Sequence, residues 1–459
     1  MSIQDTSHIY FVGIGGIGMS AIARYFNAHG KKVSGYDKTK TLLTEKLEQE
    51  GISIQYEDDI SLIPANIDIV IYTPAIPKDH LGMKYLVDLG LPMMKRSEAL
   101  GLISKDKRSV AIAGTHGKTT TSSMTAHVLK VGGIDVSAFL GGITVDYHSN
   151  FLIGNSDVVV LEADEYDRSF LKLDPFIAAI LSMDPDHLDI YGDKELMVGG
   201  YKAFAGKIKE NGVLIIKSGL LDKFTLNELS ELSRKTIVIY EFGVSEGDIM
   251  ITNIGVEGGR FVFDYQGLGL KIDKLILNMP GRHNAENACV AISVGILLGV
   301  TEDKIRKALA EFKGIQRRFE KIIDQKNLVF IDDYAHHPSE LRAAIEAART
   351  LYPDKKLTGI FQPHLYSRTR DFAEGFAHEL DNLDEVILMD IYPARELPIS
   401  GVTSEIIFKL MKNKNKILVT KATLMERLKG YYPEVLLTLG AGDIDTFVPE
   451  IKNMFLNER

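Results

Sequence analysis

A glycine-containing loop that ends in a lysine and three threonines carries the strongest chemical signal in the sequence. Residues 114–121 read GTHGKTTT and lie between a strand-like apolar run and a helical pattern. In such a loop, backbone amides surround a triphosphate, the lysine reaches its terminal phosphates, and a threonine hydroxyl binds Mg²⁺. The glycine that usually stands five positions before Gly117 is absent, because that position is Ile112. We predict an ATP site built from Gly114, Thr115, His116, Gly117, Lys118, Thr119 and Thr120.

A second glycine-rich loop lies near the start of the chain. Residues 13–18 read GIGGIG, again between a strand-like run and a helical pattern. Small residues let the backbone approach a phosphate, and the helix N-terminus supplies oriented N–H groups. Asp37 ends the next strand-like run, where a carboxylate accepts hydrogen bonds from ribose hydroxyls. The loop predicts a nucleotide site but does not distinguish NAD from another nucleotide, and glycines required only for packing remain an alternative.

Acidic stretches follow two further predicted strands. Glu162 begins the first stretch, and His187 lies within the second. The carboxyl ends of parallel strands meet at one edge of a sheet, so both side chains are expected to face the crevice that holds Lys118. Because Mg²⁺ prefers hard oxygen ligands, we predict that Thr119 and Glu162 contribute to a metal site, and His187 is a candidate functional residue in the same crevice. A solvated acidic loop and a structural histidine are the alternatives.

Three later polar stretches are candidates for binding and orienting substrates. Asn284 and Asn287 precede or begin a helical pattern, where asparagine suits either an adenine edge or a helix cap. Residues 332–338 read DDYAHHP, and their adjacent histidines lack the ligand spacing and cysteines of a zinc site. Residues 362–370 contain arginines that either bind a carboxylate or form surface ion pairs.

The elements that position these residues alternate between β-branched runs and helical patterns, which predicts parallel sheets flanked by helices. The segment 237–277 has hairpin-like alternation and predicts antiparallel additions to the central sheet. A chain of 459 residues is expected to form about three domains. Strands are predicted at 9–12, 32–36, 67–72, 109–113, 158–161, 177–181, 328–331, 357–361, 385–389 and 435–439, with helices at 19–28, from 118, and at 284–298.

Composition narrows the possible partners. The net charge of −9, from 53 basic and 62 acidic residues, argues against nucleic acid as a partner. The single cysteine, Cys289, lies in an apolar helical run and excludes an intramolecular disulfide framework. The sequence shows no signal peptide and no uncharged apolar run of about 18 residues, so we expect a cytoplasmic protein without membrane insertion.

Four motifs together resemble the Mur ligase family across nearly the whole chain. They are GTHGKTTT at 114–121, DDYAHHP at 332–338, QPHLYSRT at 362–369 and GAGDI at 440–444. The resemblance implies an α/β fold of three domains. The N-terminal Rossmann-like domain, residues 1–105, would bind a UDP-sugar. The central domain, residues 106–314, would resemble a P-loop ATPase with a mixed sheet and would bind ATP. The C-terminal Rossmann-like domain, residues 315–459, would bind an amino acid.

The resemblance is greatest to the branch that adds L-alanine to UDP-N-acetylmuramate in peptidoglycan synthesis, and it implies an ATP-dependent ligase acting through an acyl-phosphate. The implied UDP-sugar ligands are Gly15, Gly16, Gly18, Asp37, Thr73 and Arg96. ATP and Mg²⁺ would contact Lys118, Thr119, Glu162, His187, Asn284, Asn287, Arg318 and Asp333. The alanine pocket would contain Tyr334, His336, His364 and Arg368, with His336 assisting loss of the amine proton.

Two positions depart from patterns known in the family. Related enzymes often have arginine where this chain has Leu365, so one contact to the amino-acid carboxylate is in doubt. The carbamylated lysine of several Mur ligases is replaced by Phe204, and the nearby Lys202 is out of register, so we predict no carbamylated lysine.

Three alternatives to this function remain open. A sister ligase that attaches a recycled tripeptide to the same UDP-sugar shares much of the pattern but typically lacks the 362–368 motif. An NAD-dependent dehydrogenase leaves Lys118, Glu162 and Arg318 unexplained. A nucleotide sensor without turnover does not need intact catalytic residues, and the presence of Lys118, Thr119, Glu162 and His187 argues against it. We expect a monomer or a weak dimer.

Overall fold

The computed structural model contains three β-sheets that follow one another along the chain, each flanked by helices. The structure describes residues 6–77, 79–184, 191, 193–394 and 396–457. The chain forms two compact units. The first comprises residues up to Thr252 together with 264–275 and 286–311, and the second comprises 253–263, 276–285 and the residues from Phe312 onward.

The first sheet has five parallel strands in the order β3-β2-β1-β4-β5. They are β1 (His8–Val12), β2 (Lys32–Tyr36), β3 (Ser53–Gln55), β4 (Ile69–Tyr72) and β5 (Met93–Lys95). Its helices are α1 (Ile17–Ala28), α2 (Leu42–Gln49), α3 (Leu81–Asp88) and α4 (Arg96–Ser104). The strand order reverses direction between β1 and β4, and such a switch point opens a ligand crevice beyond the carboxyl end of β1.

The second sheet has ten strands in the order β15-β14-β13-β12-β11-β10-β6-β9-β7-β8. They are β6 (Arg108–Ala113), β7 (Ser137–Phe139), β8 (Phe151–Leu152), β9 (Val158–Glu162), β10 (Ile177–Ile180), β11 (Val213–Lys217), β12 (Val238–Val244), β13 (Ile249–Glu257), β14 (Arg260–Gly267) and β15 (Leu270–Leu277). The helices in this part of the chain are α5 (Lys118–Val131), α6 (Lys194–Ala205), α7 (Leu226–Arg234), α8 (Arg282–Leu297) and α9 (Glu302–Glu311). Because β6 lies between β9 and β10 and is parallel to both, the chain leaves all three strands at the same edge.

The segment predicted as antiparallel additions differs in part from that prediction. Strands β13, β14 and β15 are successive neighbours in the sheet, as short connections predict. However, β12 and β13 pair in parallel, so the predicted antiparallel direction is wrong for that pair. Alternation of apolar and polar residues determines which face of a strand is buried, but it does not determine the direction of the neighbouring strand.

The third sheet has six strands in the order β16-β17-β21-β18-β19-β20. They are β16 (Glu320–Gln325), β17 (Leu328–Asp333), β18 (Leu357–Phe361), β19 (Glu385–Met389), β20 (Lys416–Val419) and β21 (Val435–Leu439). Only β16 pairs antiparallel among these strands. Its helices are α10 (Pro338–Leu351), α11 (Tyr366–Asp371), α12 (Ala373–Leu380), α13 (Glu405–Leu410), α14 (Leu424–Leu428) and α15 (Val448–Asn457).

A buried arginine connects the helices of the first sheet to the edge of the second within the first compact unit. Arg24 on α1 pairs with both carboxylate oxygens of Glu50 and donates to the side-chain oxygen of Asn150, just before β8. Asn150 in turn donates to Ser20 Oγ at 2.9 Å. Satisfied networks of this kind fix one arrangement of the layers they join.

Two remaining expectations concern Cys289 and the membrane. Cys289 is buried and free, which agrees with its predicted place in an apolar helix. Among the described residues, no helix combines the length and the apolar character needed to cross a membrane.

Candidate functional site

The glycine loop after β1 forms one wall of a cleft of about 860 Å³ in the first compact unit. The backbone amides of Gly13 and Ile14 both donate to Tyr36 O, which turns the chain sharply at the end of β1. Gly13 has φ +87°, and a Cβ there would lie 2.7 Å from Thr73 Cγ2, so this turn requires glycine. The structure brings together the predicted UDP-sugar residues Gly15, Gly16, Gly18, Asp37, Thr73 and Arg96 along this cleft.

Asp37 braces the glycine loop as well as lining the cleft. Its carboxylate accepts the N–H of Gly15 at 2.7 Å and that of Thr39 at 3.1 Å. Each carboxylate oxygen has a second lone pair, so these bonds leave acceptor capacity for a ribose hydroxyl. The sequence predicted that Asp37 lines the nucleotide site, but it did not reveal that Asp37 also binds the glycine loop.

Replacing Gly15 by alanine is expected to raise the KM for the predicted UDP-sugar by about tenfold, the cost of a lost hydrogen bond to a charged group. A Cβ at Gly15 would lie 2.7 Å from Thr44 Cγ2 and 2.8 Å from Asp37 Oδ2, so the carboxylate must move and release the loop. Gly199→Ala is the matched control, since a Cβ there meets nothing within 4 Å. Steady-state kinetics test both variants, and equal KM values would contradict the bracing role.

Arg96 brings a positive charge to the N-terminus of α1. Its guanidinium pairs with Asp164 at 2.9 Å and packs so closely on Gly18 that a Cβ at that glycine would overlap it. A helix N-terminus and a guanidinium together favour an anion. Arg96, Gly18 and Asp164 also line an adjoining cavity of about 100 Å³ whose wall includes Glu162. The cleft at the first glycine loop therefore adjoins the predicted metal ligand.

The loop after β6 leads directly into α5 through a glycine that no other residue can easily replace. Gly117 has φ +81°, and a Cβ there would lie 2.6 Å from Asn287 Oδ1. A Cβ at Gly114 would lie 2.9 Å from Leu181 Cβ and from Ser182 N. The bare backbone of this loop and the N-terminus of α5 form the cradle that phosphate groups require, so these residues fit ATP.

Lys118 is held by its own loop and by a buried carboxylate. Its ammonium donates to Gly114 O at 2.7 Å and to Glu165 Oε1 at 2.8 Å, and Glu165 is only 1% exposed. Burial alone would lower the pKa of Lys118, but the charges of Glu165 and Glu162 outweigh it and raise that pKa. Lys118 is therefore a fixed positive charge at the start of α5.

Thr119 and Glu162 supply the hard oxygen atoms predicted for Mg²⁺. Thr119 Oγ1 donates to Glu162 Oε1 at 3.1 Å, and the other oxygen accepts the N–H of Gly141 at 2.9 Å. Burial raises the pKa of Glu162, while the charge of Lys118 opposes that rise. A partly buried carboxylate beside a hydroxyl matches the ligand chemistry of Mg²⁺.

The third predicted metal ligand, His187, lies outside the described residues. The chain after β10 nevertheless contacts the phosphate loop: Thr115 Oγ1 donates to Asp184 O at 2.8 Å, and His116 N donates to Ser182 Oγ at 3.0 Å. Three strand ends therefore meet here, as predicted. Within the part of the chain that the structure describes, no cluster of three or more His, Cys, Asp or Glu residues suits a metal ion.

The two asparagines predicted at the adenine have structural partners. Asn287, in the first compact unit, accepts from Thr121 Oγ1 at 3.0 Å. Asn284, in the second unit, donates to Pro280 O at 2.6 Å near the start of α8. Both residues lie within α8 and neither bond is a helix cap, so the predicted contact of these residues with adenine stays a prediction.

In the second compact unit, two adjacent arginines have different surroundings. Arg317 donates to Gly440 O at 2.6 Å and pairs with the buried Asp332 at 3.3 Å. Arg318 lies 3.8 Å from Glu340, is about one-third exposed, and is close enough to Asp333 to lower the pKa of that carboxyl group. Both guanidinium groups lie over the Tyr334 ring. Arg317 is therefore anchored in the fold, while Arg318 keeps donors available for a ligand.

Asp333 anchors two backbone segments. Its carboxylate oxygens accept the N–H of Phe319 at 2.7 Å and of Ala335 at 2.8 Å. Burial raises the pKa of Asp333 to about 6, against the lowering effect of Arg318. Its predicted contact with ribose is untested.

The four residues predicted for the alanine pocket form one cluster in the second unit. The His336 ring lies 5.1 Å from that of Tyr334 and 6.0 Å from that of His364. Arg368 Nη1 lies 3.4 Å from His364 Nδ1, and the His364 ring stacks on Tyr392. Histidines beside an arginine suit recognition of a small carboxylate with an amine.

The structure shows the backbone conformation of Leu365 and the packing of Phe204, the two positions that depart from the family pattern. Leu365 has φ +68°, an uncommon conformation for a residue with a side chain, and stands just before α11. Phe204 is fully buried and stacks on Phe170, and Lys202 pairs with Glu228 at 3.2 Å.

Sequence reasoning missed two carboxylates that touch predicted site residues. Glu165, which pairs with Lys118, belongs to the acidic stretch that begins at Glu162, but spacing alone does not show which carboxylate meets a lysine from another strand end. Glu340 contacts His336 and Arg318. Its position four residues after His336, at the start of a helix marked by Pro338, is a signal that could have identified it.

Comparison with known proteins gives three family-model matches that together cover most of the chain. Residues 8–108 match the Mur ligase family catalytic domain, 112–295 the Mur ligase middle domain, and 317–443 the glutamate ligase domain of Mur ligases.

Curated relatives match over nearly their full length. The chain is 47% identical to UDP-N-acetylmuramate–L-alanine ligase of Christiangramia forsetii, covering 99% of both chains. It is also 47% identical to the enzyme of that name from Porphyromonas gingivalis W83, covering 97% of this chain and 98% of that one.

Solved structures share the three-domain α/β fold. The UDP-N-acetylmuramate–alanine ligase MurC of Thermotoga maritima superposes with a TM-score of 0.84 at 28% identity, covering 98% of this chain and 100% of that one. A murein peptide ligase from Psychrobacter arcticus superposes with a TM-score of 0.69 at 22% identity, covering 98% and 99%, which is a likeness of fold alone.

Proposed function

Since this chain belongs to the Mur ligase family, we propose that it joins L-alanine to the lactyl carboxylate of UDP-N-acetylmuramate with cleavage of ATP to ADP and phosphate. The observation that carries the proposal is the junction at Arg96 and Asp164, where the cleft of the first glycine loop adjoins Glu162. A reaction between a nucleotide-linked acid and ATP needs such adjacent sites. The name carried by relatives at 47% identity supports the same assignment.

In the first step, the lactyl carboxylate attacks the γ-phosphorus of ATP and forms an acyl-phosphate and ADP. Two anions must approach each other, so positive charge is required around the transferred group. Lys118 supplies it from the phosphate loop, and Arg318 is proposed to supply it from the C-terminal part of the chain. Mg²⁺, held by Thr119, Glu162 and His187, would add positive charge when bound.

In the second step, the amine of L-alanine attacks the acyl carbon and expels phosphate. The ammonium must first lose a proton, and His336 is the proposed acceptor. Arg368 and His364 would hold the amino-acid carboxylate, with Tyr334 beside them. Leu365 offers no charge to that carboxylate, so Arg368 is proposed to carry this contact.

The remaining residues are assigned by their place in the fold. The UDP diphosphate would lie on Gly15, Gly16 and Gly18, with Asp37, Thr73 and Arg96 around the nucleotide-sugar. Asn284 and Asn287 are proposed near adenine and Asp333 near its ribose. The proposed division is a UDP-sugar domain at 1–105, an ATP domain at 106–314 and an amino-acid domain at 315–459. We further propose a cytoplasmic enzyme, monomeric or weakly dimeric.

Release of phosphate from ATP with each substrate omitted in turn tests this function. We expect release only when UDP-N-acetylmuramate and L-alanine are both present. Release supported by the tripeptide L-alanyl-γ-D-glutamyl-meso-diaminopimelate but not by alanine would assign the chain to the sister ligase. Measurable NAD(H) binding without UDP binding would contradict the ligase assignment.

A further inference from the structure

The buried side of the His336 ring faces two hydrogen-bond acceptors. Nδ1 lies 3.0 Å from Tyr334 O and 3.1 Å from Glu340 Oε2. A carbonyl and a carboxylate both accept, so Nδ1 must carry the hydrogen atom. In the neutral ring, Nε2 then has a free lone pair and is the nitrogen able to take up a proton.

Glu340 is fixed from several directions. The oxygen that faces Nδ1 also accepts the backbone N–H of His336 at 2.9 Å, and the other oxygen lies 3.8 Å from Arg318. Glu340 stands in the first turn of α10, where the helix dipole favours a negative charge. Burial alone would raise the pKa of Glu340, but its interactions with His336 and with the guanidinium of Arg318 hold that pKa well below its usual range. Glu340 is therefore an ionised, oriented carboxylate.

We propose that Glu340 is a positioning residue that holds the ring of His336 with Nε2 as its proton acceptor and stabilises the imidazolium formed there. This inference rests on the proposed function. In the step concerned, an N–H bond of the alanine ammonium breaks and an Nε2–H bond forms. The freed amine lone pair then forms the C–N bond, and the C–O bond to phosphate breaks with its electron pair leaving on phosphate. The departing phosphate takes the second N–H proton, which leaves a neutral amide. Glu340 itself exchanges no proton.

Two substitutions on α10 separate this role from a general effect on the helix. Glu340→Gln keeps an oxygen acceptor for Nδ1–H but removes the charge, and it is expected to lower kcat with L-alanine by about 10²-fold, the lower end of what proton transfer contributes. The KM for alanine is expected to change by less than about threefold, because Glu340 supports the transition state rather than binding. Glu346→Gln removes an exposed charge from the same helix and is the matched control, with kcat unchanged.

Trapping of the acyl-phosphate with hydroxylamine shows whether the variant still performs the first step. Hydroxylamine is uncharged near neutral pH and attacks without prior loss of a proton. Glu340→Gln is therefore expected to form hydroxamate within about threefold of the unmodified protein, since only the second step needs the base. A loss of hydroxamate equal to the loss of amide would show that Glu340 acts through Arg318 or through the fold, and it would overturn the inference.

The double variant tests whether Glu340 acts through His336. In a protein that already carries His336→Gln, adding Glu340→Gln is expected to change kcat by less than about threefold, because residues that work as one unit are not additive. The same loss in both backgrounds would overturn the proposal. So would ¹⁵N NMR of histidine-labelled protein that places the hydrogen of neutral His336 on Nε2.

The activity of the unmodified protein separates this inference from the proposed function. Absence of alanine-dependent turnover would contradict the proposed function. Normal turnover in the unmodified protein that Glu340→Gln leaves unchanged would contradict only the role given to Glu340.

Discussion

Replacing Lys118 by methionine is expected to lower kcat by about 10³-fold, the upper range for removing one charge-stabilising donor from a transition state. The ammonium of Lys118 is fixed at the N-terminus of α5 by Gly114 O and Glu165. No other lysine or arginine lies in the 114–121 loop to replace it. Kinetics of phosphate release test this expectation. Lys130→Met, which removes an exposed charge from the same helix, is the matched control and should retain full turnover.

Loss of Lys118 also leaves Glu165 buried without its partner, which typically costs about 3–5 kcal/mol of stability. The double variant Lys118→Met with Glu165→Gln removes both charges and is expected to recover most of that stability without recovering turnover. Calorimetric titration with UDP-N-acetylmuramate should still detect binding at the first glycine loop, which Lys118 does not line. Loss of that binding in a folded double variant would indicate that the two loops serve one site.

Replacing Arg318 by alanine is expected to lower kcat by about 10³-fold or more, as for other arginines that stabilise a transferred phosphoryl group. Arg318 is about one-third exposed and lies 3.8 Å from Glu340, so the loss of thermal stability should be smaller than the loss caused by removing the more buried Arg317. Thermal melting beside phosphate-release kinetics measures both quantities.

The neighbouring Arg317 provides a control of the same residue type. Its guanidinium pairs with Asp332, which is almost fully buried, so Arg317→Ala leaves an unpaired buried charge and is expected to cost about 3–5 kcal/mol of stability. Full turnover in Arg318→Ala, or a stability loss there as large as in Arg317→Ala, would contradict the roles assigned to the pair.

Three strands of the third sheet were predicted with their observed bounds, whereas β16 and β20 were not predicted. The predicted ranges 357–361, 385–389 and 435–439 agree with β18, β19 and β21 residue for residue. Strands covered on both faces read as continuous apolar runs bounded by polar residues, so their ends are visible in the sequence. The direction of β13 relative to β12 was not visible, because it depends on the connection and not on the pattern within either strand.

The residue types of the candidate site were predictable, but many of their partners were not. Motif spacing identified Lys118, Glu162 and the first glycine loop because such loops use local backbone geometry. The contact between Lys118 and Glu165 joins residues from two strand ends, and it exists only once β6 and β9 are neighbours.

The different roles of Arg317 and Arg318 could not be predicted from the sequence either. The two residues are identical and adjacent, so neither composition nor spacing distinguishes them. Arg317 has φ +60°, an uncommon conformation, and its side chain contacts Asp332 and Gly440. These contacts come from other parts of the chain and are not visible in the local sequence.

Arg24 links the stabilities of the first two sheets. It belongs to a helix of the first sheet, and Asn150, to which it donates, immediately precedes a strand of the second. Separating the two sheets would leave the buried guanidinium of Arg24 without the amide oxygen of Asn150 as its acceptor, which is energetically unfavourable. The two sheets are therefore expected to unfold as a single cooperative unit. The first sheet and its helices, expressed without the segment around Asn150, are expected to fold poorly on their own.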